Sequence, residues 1–168
     1  MPKFYYFLGG LGSNVEIYAR DYSKKHPTYV FIDFITIMLS RDSYVDKTDI
    51  ISYPPYLNTQ SYSETKLAIG EMIRTAVKNK SNIILYGAGL NIQYNLNFID
   101  YLKQIGYEII SIYVDVKIEK QLENVAKLNA DPNSRIYIPT GVVIDTQNLL
   151  NISINQYKEA SNKLKKIK

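Results

Sequence analysis

Apolar residues follow two alternating patterns along this chain. Short runs of consecutive apolar residues predict buried strands, and apolar residues at helical spacing between the runs predict helices. The predicted strands cover residues 4–8, 29–33, 82–86 and 107–114, and the predicted helices include 14–25 and 117–129. Strands that alternate with crossover helices are typical of a parallel sheet. The sequence therefore predicts an α/β fold with three layers, a parallel sheet with helices on both faces.

Capping residues and apolar spacing predict where individual helices start and which of their residues face the core. Ser61 and Glu64 form an S-x-x-E capping box, which predicts that a long helix starts there. In the helix over 117–129, four apolar residues are expected to face inward: Ile118, Leu122, Val125 and Ala126. The stretch 34–39 is apolar but of undecided type, and residues 44–62, which contain two adjacent prolines, are expected to form a long irregular connection.

Four segments follow directly after predicted strands. They are residues 9–14, Asp33, residues 87–89 and Asp115. The carboxyl ends of parallel strands meet at one edge of the sheet, where ligands of such folds bind. These four segments are therefore expected on a single rim.

The first of them has the layout of a phosphate-binding loop. The motif G-x-x-x-x-G-K-[ST] holds phosphates with backbone N–H groups, neutralises them with lysine and binds magnesium through a hydroxyl. If Gly9 is the first glycine, Asn14 takes the second glycine position, Val15 the lysine and Glu16 the hydroxyl. Residual anion binding by backbone N–H groups and a plain tight turn both stay open. The candidate binding residues are Gly9, Gly10, Gly12, Ser13 and Asn14.

Composition narrows the remaining possibilities. The chain has 168 residues, no cysteine and one histidine, which excludes disulfides and the usual zinc sites, and no metal site is predicted. No apolar run is long enough to cross a bilayer, so a soluble protein of the cytoplasm is expected, with intracellular and virus-associated settings left open. Residues 1–150 are expected to form one α/β domain, and 151–168 a basic C-terminal helix packed on it or extending from it. For this lysine-rich tail, a solvated helix end is favoured over contact with nucleic acid.

Several of these segments, taken in order, resemble the zeta toxins and related P-loop kinases. The resemblance covers most of residues 3–145 and rests on the glycine loop, VFID (30–33), NIILYG (82–87), YEIISIYV (107–114) and ADPNSRIYIP (130–139). It implies transfer of the γ-phosphoryl group of ATP or GTP, with Mg²⁺, to a hydroxyl, classically on a nucleotide-activated amino sugar. It further implies that Asp33 is the base on that hydroxyl and that Arg135 is a lid arginine that stabilises the transferred charge. The chain departs from the family at Val15, Glu16 and Tyr86, and at Asn124 to Lys127, where a second arginine is expected.

The missing lysine and hydroxyl decide the functional prediction. Phosphoryl transfer depends on positioning and electrostatics, so their joint loss is expected to cost several orders of magnitude in rate. We therefore predict a degenerate kinase-like protein with little or no activity and no obligatory cofactor. It would act by binding a protein partner, or a phosphate or nucleotide weakly, or as a structural subunit of an assembly.

Two alternatives remain open at this point. In the first, the protein is an active kinase in which Lys24, Lys25 or Lys127 supplies the missing charge. In the second, it binds a dinucleotide or sugar nucleotide, because Gly87-Ala88-Gly89 and the later Asp115 imitate a Rossmann unit.

Overall fold

The computed structural model describes residues 1–47 and 59–168, and within them five strands form a parallel sheet. The strands are β1 Lys3–Leu8, β2 Val30–Ile32, β3 Ile83–Gly87, β4 Glu108–Val114 and β5 Lys163–Ile167. Their order in the sheet is β2-β3-β1-β4-β5, and every neighbouring pair is parallel. The predicted α/β fold with a parallel sheet is confirmed.

Helices connect the strands and cover the sheet. They are α1 Val15–Lys25, α2 Phe34–Leu39, α3 Gln60–Lys78, α4 Ile92–Gln104, α5 Ile118–Ala130 and α6 Thr140–Ala160. The predicted boundaries of α1 and α5 are right to within one residue. The undecided stretch 34–39 is helical, because Asp33 accepts a hydrogen bond from the backbone N–H of Thr36 and so caps its first turn. None of the helices in the described residues is long and apolar enough to span a membrane.

Alternate residues of the central strand β1 enter two different cores. Phe4, Tyr6 and Leu8 face the layer of α3, α4 and α6. Tyr5 and Phe7 face the opposite layer, where α1 packs. Because successive strand side chains point to opposite faces, this run of apolar residues requires helices on both sides of the sheet.

The prediction of a basic C-terminal helix over 151–168 is wrong for its last residues. The helix α6 ends at Ala160, and Lys163–Ile167 form the edge strand β5 beside β4. Asn162 starts this pairing, since its backbone N–H donates to the Ile109 carbonyl and its side-chain oxygen accepts from the Ile109 N–H. Backbone pairing along an otherwise open edge of β4 outweighs the helical preference of the lysines. Exposed lysines are also common on edge strands, where they discourage further pairing.

Two local expectations about helices are also wrong. The N-cap of α3 is Thr59, whose hydroxyl accepts a hydrogen bond from the Tyr62 N–H, so the helix begins before Ser61. Glu64 instead accepts hydrogen bonds from Ser43 and Gln60. In α5, Ala126 is exposed and Gln121 takes a fully buried position. The expected irregular connection 44–62 lies partly outside the described residues.

Candidate functional site

The glycine loop closes on itself directly after the central strand. The Ser13 N–H donates to the Gly10 carbonyl over 3.0 Å, which folds residues 10–13 into a tight turn. Asn14 then adopts the left-handed conformation, with φ 61°, at the place where the phosphate-binding motif has its second glycine. Asparagine is among the few non-glycine residues that tolerate this conformation, so the geometry supports the alignment that puts Val15 and Glu16 at the lysine and hydroxyl positions.

The turn is also packed tightly against the helices behind it. A Cβ atom on Gly10 would lie 2.4 Å from Gln121 Oε1 and 2.5 Å from Gln147 Oε1. A Cβ on Gly12 would lie 2.4 Å from the Gln121 carbonyl oxygen, and Asn124 Nδ2 donates to the Gly12 carbonyl over 2.9 Å. The loop therefore needs glycine for close approach to α5 and α6.

Two buried polar atoms at this loop lack a hydrogen-bond partner among the described residues. They are Ser13 Oγ and Gln121 Oε1. Ser13 is 2% exposed, and a Cβ on Gly9 would lie 2.5 Å from its hydroxyl. An unpaired buried polar atom costs about 1–3 kcal/mol, so these two atoms destabilise the packing behind the loop.

The two positions after the loop carry no cation. Val15, the first residue of α1, is buried in the core between this helix and the sheet. The carboxyl of Glu16 is half-buried, and burial raises its pKa, with the charge of Asp33 acting in the same direction and Arg20 against it. The position that normally binds magnesium through a hydroxyl thus holds a carboxyl that is partly removed from water.

Asp33 is engaged within the chain on both carboxylate oxygens. Its Oδ1 accepts from the Tyr86 hydroxyl over 2.6 Å and from the Thr36 N–H over 3.3 Å, and its Oδ2 accepts from Arg20 Nη2 over 3.0 Å. Burial alone would raise the pKa of Asp33, but these hydrogen bonds together lower it. A carboxylate with a lowered pKa is a weak general base.

Arg135 lies in the loop between α5 and α6 and binds the segment after α2. Its Nε donates to Asp46 over 2.7 Å, its Nη1 donates to the Leu39 carbonyl over 3.0 Å, and its guanidinium lies over the Tyr44 ring. Its own carbonyl accepts from the Tyr44 hydroxyl and the Lys47 N–H. In the part of the chain that the structure describes, none of its hydrogen bonds reaches the glycine loop, and the lid role of Arg135 stays a prediction.

Of the three lysines considered as substitute cations, two are distant from the loop and the third is paired with a carboxylate. Lys24 and Lys25 lie in the last turn of α1, about 15 Å along the helix from Val15, and Lys24 pairs with Asp21. Lys127 pairs with Glu123 on the exposed face of α5, over 2.7 Å.

The Rossmann alternative lacks its topological basis. Its two strands would be β3 and β4, but β1 lies between them, whereas the first two strands of a Rossmann unit are neighbours. The glycine turn is covered as well, because the Tyr157 hydroxyl donates to the Gly89 carbonyl over 2.8 Å. Asp115 pairs with Lys166 over 3.1 Å.

Sequence reasoning missed several residues that shape this site. Arg20 binds Asp33, the glutamines Gln121 and Gln147 support the loop, and Tyr157 covers the second glycine turn. Gln121 falls at the helical spacing of Ile118 and Val125, which is the one sign of its burial in the sequence.

No protein-family model matches this chain, and no curated protein matches it. Similar solved structures exist, however. One comes from the PezAT chromosomal toxin–antitoxin system of the human pathogen Streptococcus pneumoniae, with a TM-score of 0.56 and 16% identity over all of this chain and 67% of that one. Another is shikimate kinase from Acinetobacter baumannii in complex with shikimate, with a TM-score of 0.56 and 16% identity over all of this chain and 84% of that one. The chain therefore has the fold of the P-loop kinases, as its resemblance to zeta toxins implied.

Proposed function

We propose that this chain is a kinase-like protein with little or no phosphotransferase activity, which acts by binding a partner or as a subunit of an assembly. The observation that carries the proposal is the closed glycine loop. Its Ser13 N–H is used by the Gly10 carbonyl, and its glycines lie against the two buried glutamines. A phosphate cradle requires the opposite, an open loop whose N–H groups point at the anion.

The charges around the loop support the same proposal. ATP with Mg²⁺ brings several negative charges that need cations, and the residues at the lysine and hydroxyl positions are Val15 and Glu16. The nearby Arg20 is already paired with Asp33. The residues present do not fit the nucleotide, so we derive no phosphoryl-transfer step for this chain.

The outward face of α6 supports partner binding. Between Asp145 and Lys158 this helix has no charged residue, and Ile152 on that face is 71% exposed. Ile144 and Leu149 are also exposed there. Exposed apolar residues grouped on one helix are a common property of protein interfaces.

The activity part of the proposal is tested by nucleotide binding and turnover. The melting temperature is measured with and without millimolar ATP or GTP and Mg²⁺, and γ-labelled nucleotide is offered with hydroxyl acceptors that include shikimate and a UDP-amino sugar. We expect no rise in melting temperature and no labelled product. Turnover that is lost in Asp33→Asn would instead establish an active kinase. A nucleotide-dependent rise that is lost in Lys127→Ala would establish that the chain binds nucleotide through this lysine.

The partner part is tested separately with a pair of variants. Immobilised protein is exposed to extracts of its source cells, and the retained proteins are identified by mass spectrometry. Ile152→Glu should release the partner. Leu67→Glu, which alters a side chain of similar exposure (70%) on α3, should retain it. Equal retention by both variants would refute the role of α6.

A further inference from the structure

The end of the sheet opposite the glycine loop is rich in lysine. All five strands are parallel, so they start at this end, and α1, α3, α4 and α6 finish there before the next strand begins. We call this end the basic pole and define it by eight lysines: Lys3, Lys24, Lys25, Lys78, Lys80, Lys103, Lys158 and Lys163.

Contacts between the elements show that they converge at this pole. Glu108 lies 3.7 Å from both Lys3 and Lys163, which ties together the starts of β1, β4 and β5. Lys103 at the end of α4 donates to the Ala160 carbonyl at the end of α6. The Lys3 N–H donates to the side chain of Asn82, which precedes β3.

Most of the positive charge at this pole is uncompensated. The carboxylates there are Asp21, Asp100, Glu108 and Glu159. Arg74, near the end of α3, adds a ninth cation, so nine cations against four carboxylates leave a net charge of +5. The whole chain has a net charge of +4, which makes the rest of the molecule slightly negative. Within the described residues, Lys25, Lys78, Lys80 and Lys158 form no ion pair.

Helix dipoles account for only part of this arrangement. A lysine in the last turn of a helix stabilises that helix, which explains Lys24, Lys25, Lys78, Lys103 and Lys158 one at a time. Lys3 and Lys163 begin strands, and Lys80 lies in the turn before β3, so the dipole rule does not apply to them.

A group of stacked aromatic rings lies at the same pole. His26 stacks on Tyr29, with ring centres 4.8 Å apart and planes at 13°, and Tyr29 stacks on Tyr5 at 5.7 Å and 18°. The ring of Tyr22 lies 4.3 Å from that of His26. His26, Tyr29 and Tyr22 are partly exposed, and His26 follows directly after Lys24 and Lys25.

We propose that the basic pole binds single-stranded nucleic acid. Clustered lysines neutralise the phosphates, and the partly exposed rings of the aromatic group beside them add an aromatic surface that unpaired bases can contact. The rings favour a single strand over a duplex, whose bases are already stacked on each other, and over an acidic protein, which has no bases. The proposal concerns the end of the molecule away from the glycine loop, so it does not depend on the proposed function.

The first test measures the binding of labelled oligouridine and oligothymidine by fluorescence anisotropy at several salt concentrations. Lys24→Ala/Lys25→Ala and Lys78→Ala/Lys80→Ala should each weaken binding. Each pair should also reduce the magnitude of the negative slope of log K against log [salt] by about 1.4, the value for two lost phosphate contacts on a single strand. The matched control is Lys117→Ala/Lys120→Ala, which removes the same charge at the opposite rim and should leave both quantities unchanged.

The second test isolates stacking. His26→Ala should weaken binding of oligouridine about fivefold or more and leave binding of an abasic strand of equal length unchanged. Melting temperatures show that each variant is folded. The proposal is overturned by absence of binding at 50 mM salt, by an equal effect of the control pair, or by a duplex that binds more tightly than a single strand. Competition by polyglutamate as strong as that by oligouridine also overturns it, since it indicates an acidic protein partner.

Discussion

The hydroxyl of Tyr86 donates a 2.6 Å hydrogen bond to Asp33 and accepts one from the Ile35 N–H over 2.9 Å. It thus joins the end of β3 to the start of α2. In the resemblance to zeta toxins, Tyr86 replaces an acid and Asp33 is the base. The structure shows these two residues bound to each other, an arrangement that stabilises the fold and leaves the carboxylate little capacity for an acceptor hydroxyl.

Removal of the Tyr86 hydroxyl tests this bond. Tyr86→Phe leaves the Ile35 N–H without its partner and Asp33 without its shortest hydrogen bond, so the free energy of unfolding should fall by about 1–3 kcal/mol. Urea denaturation measures the change. Tyr101→Phe, which alters a tyrosine that is 49% exposed, should change the free energy by less than about 0.5 kcal/mol. Equal effects of both variants would mean that the bond contributes nothing.

Asp33→Asn should show a characteristic pH dependence. Because the pKa of Asp33 is lowered in the folded chain, its contribution to stability is present above the ordinary value of 3.8 and is lost as the pH falls through the folded value. The variant should therefore be about 1–3 kcal/mol less stable than the parent at pH 7 and approach it in stability as the pH falls below 3.8. A stability gap that stays constant with pH would contradict this account.

Glu16→Gln should act with the opposite sign. Burial raises the pKa of Glu16, so its charged form opposes folding at pH 7, and protonation removes the penalty as the pH falls through the raised folded value towards the ordinary value of 4.5. The variant should be more stable at pH 7, by less than about 1 kcal/mol, and lose this advantage below pH 4.5. Glu119→Gln, in the first turn of α5, is the matched control and should give no such gain.

Substitution of two glycines tests how the loop packs. A Cβ on Gly10 would lie 2.4 Å from Gln121 Oε1, whereas a Cβ on Gly141 would have no atom within 4 Å. Gly10→Ala should therefore destabilise the chain by about 1–3 kcal/mol. Gly141→Ala should be neutral or stabilise it by up to about 1 kcal/mol, because alanine favours the helix. If Gly10→Ala were tolerated as well as Gly141→Ala, the close packing of the glycine loop against Gln121 would be contradicted.

Much of the architecture was predictable because a parallel strand that is buried on both faces appears in the sequence as a run of consecutive apolar residues. The runs at 4–8, 82–86 and 107–114 match β1, β3 and β4 to within one residue. The α1 helix was also foreseen from its local pattern. Boundaries set by competing polar groups were harder to predict, as the cap at Thr59 in place of Ser61 shows.

The candidate site was predictable only in part. The sequence showed that Val15 and Glu16 stand where a lysine and a hydroxyl are expected. It did not show that Gln121 and Gln147 lie behind the loop, since buried and exposed glutamines look alike in a sequence. It also did not show that Arg20 binds Asp33, because the two residues belong to different elements brought together by the fold.

By itself, the sequence determined the order of the first four strands and of most of the helices between them, the rim on which the glycine loop lies and the absence of a cation at its lysine position. Each of these depends on local periodicity or on residue identity, which are visible along one dimension. Tertiary structure alone decided that the loop is closed, that Asp33 is held by Tyr86 and Arg20, and that Lys163–Ile167 form a strand. These depend on contacts between residues far apart in the chain, whose energies outweigh local preferences only once the sheet has formed.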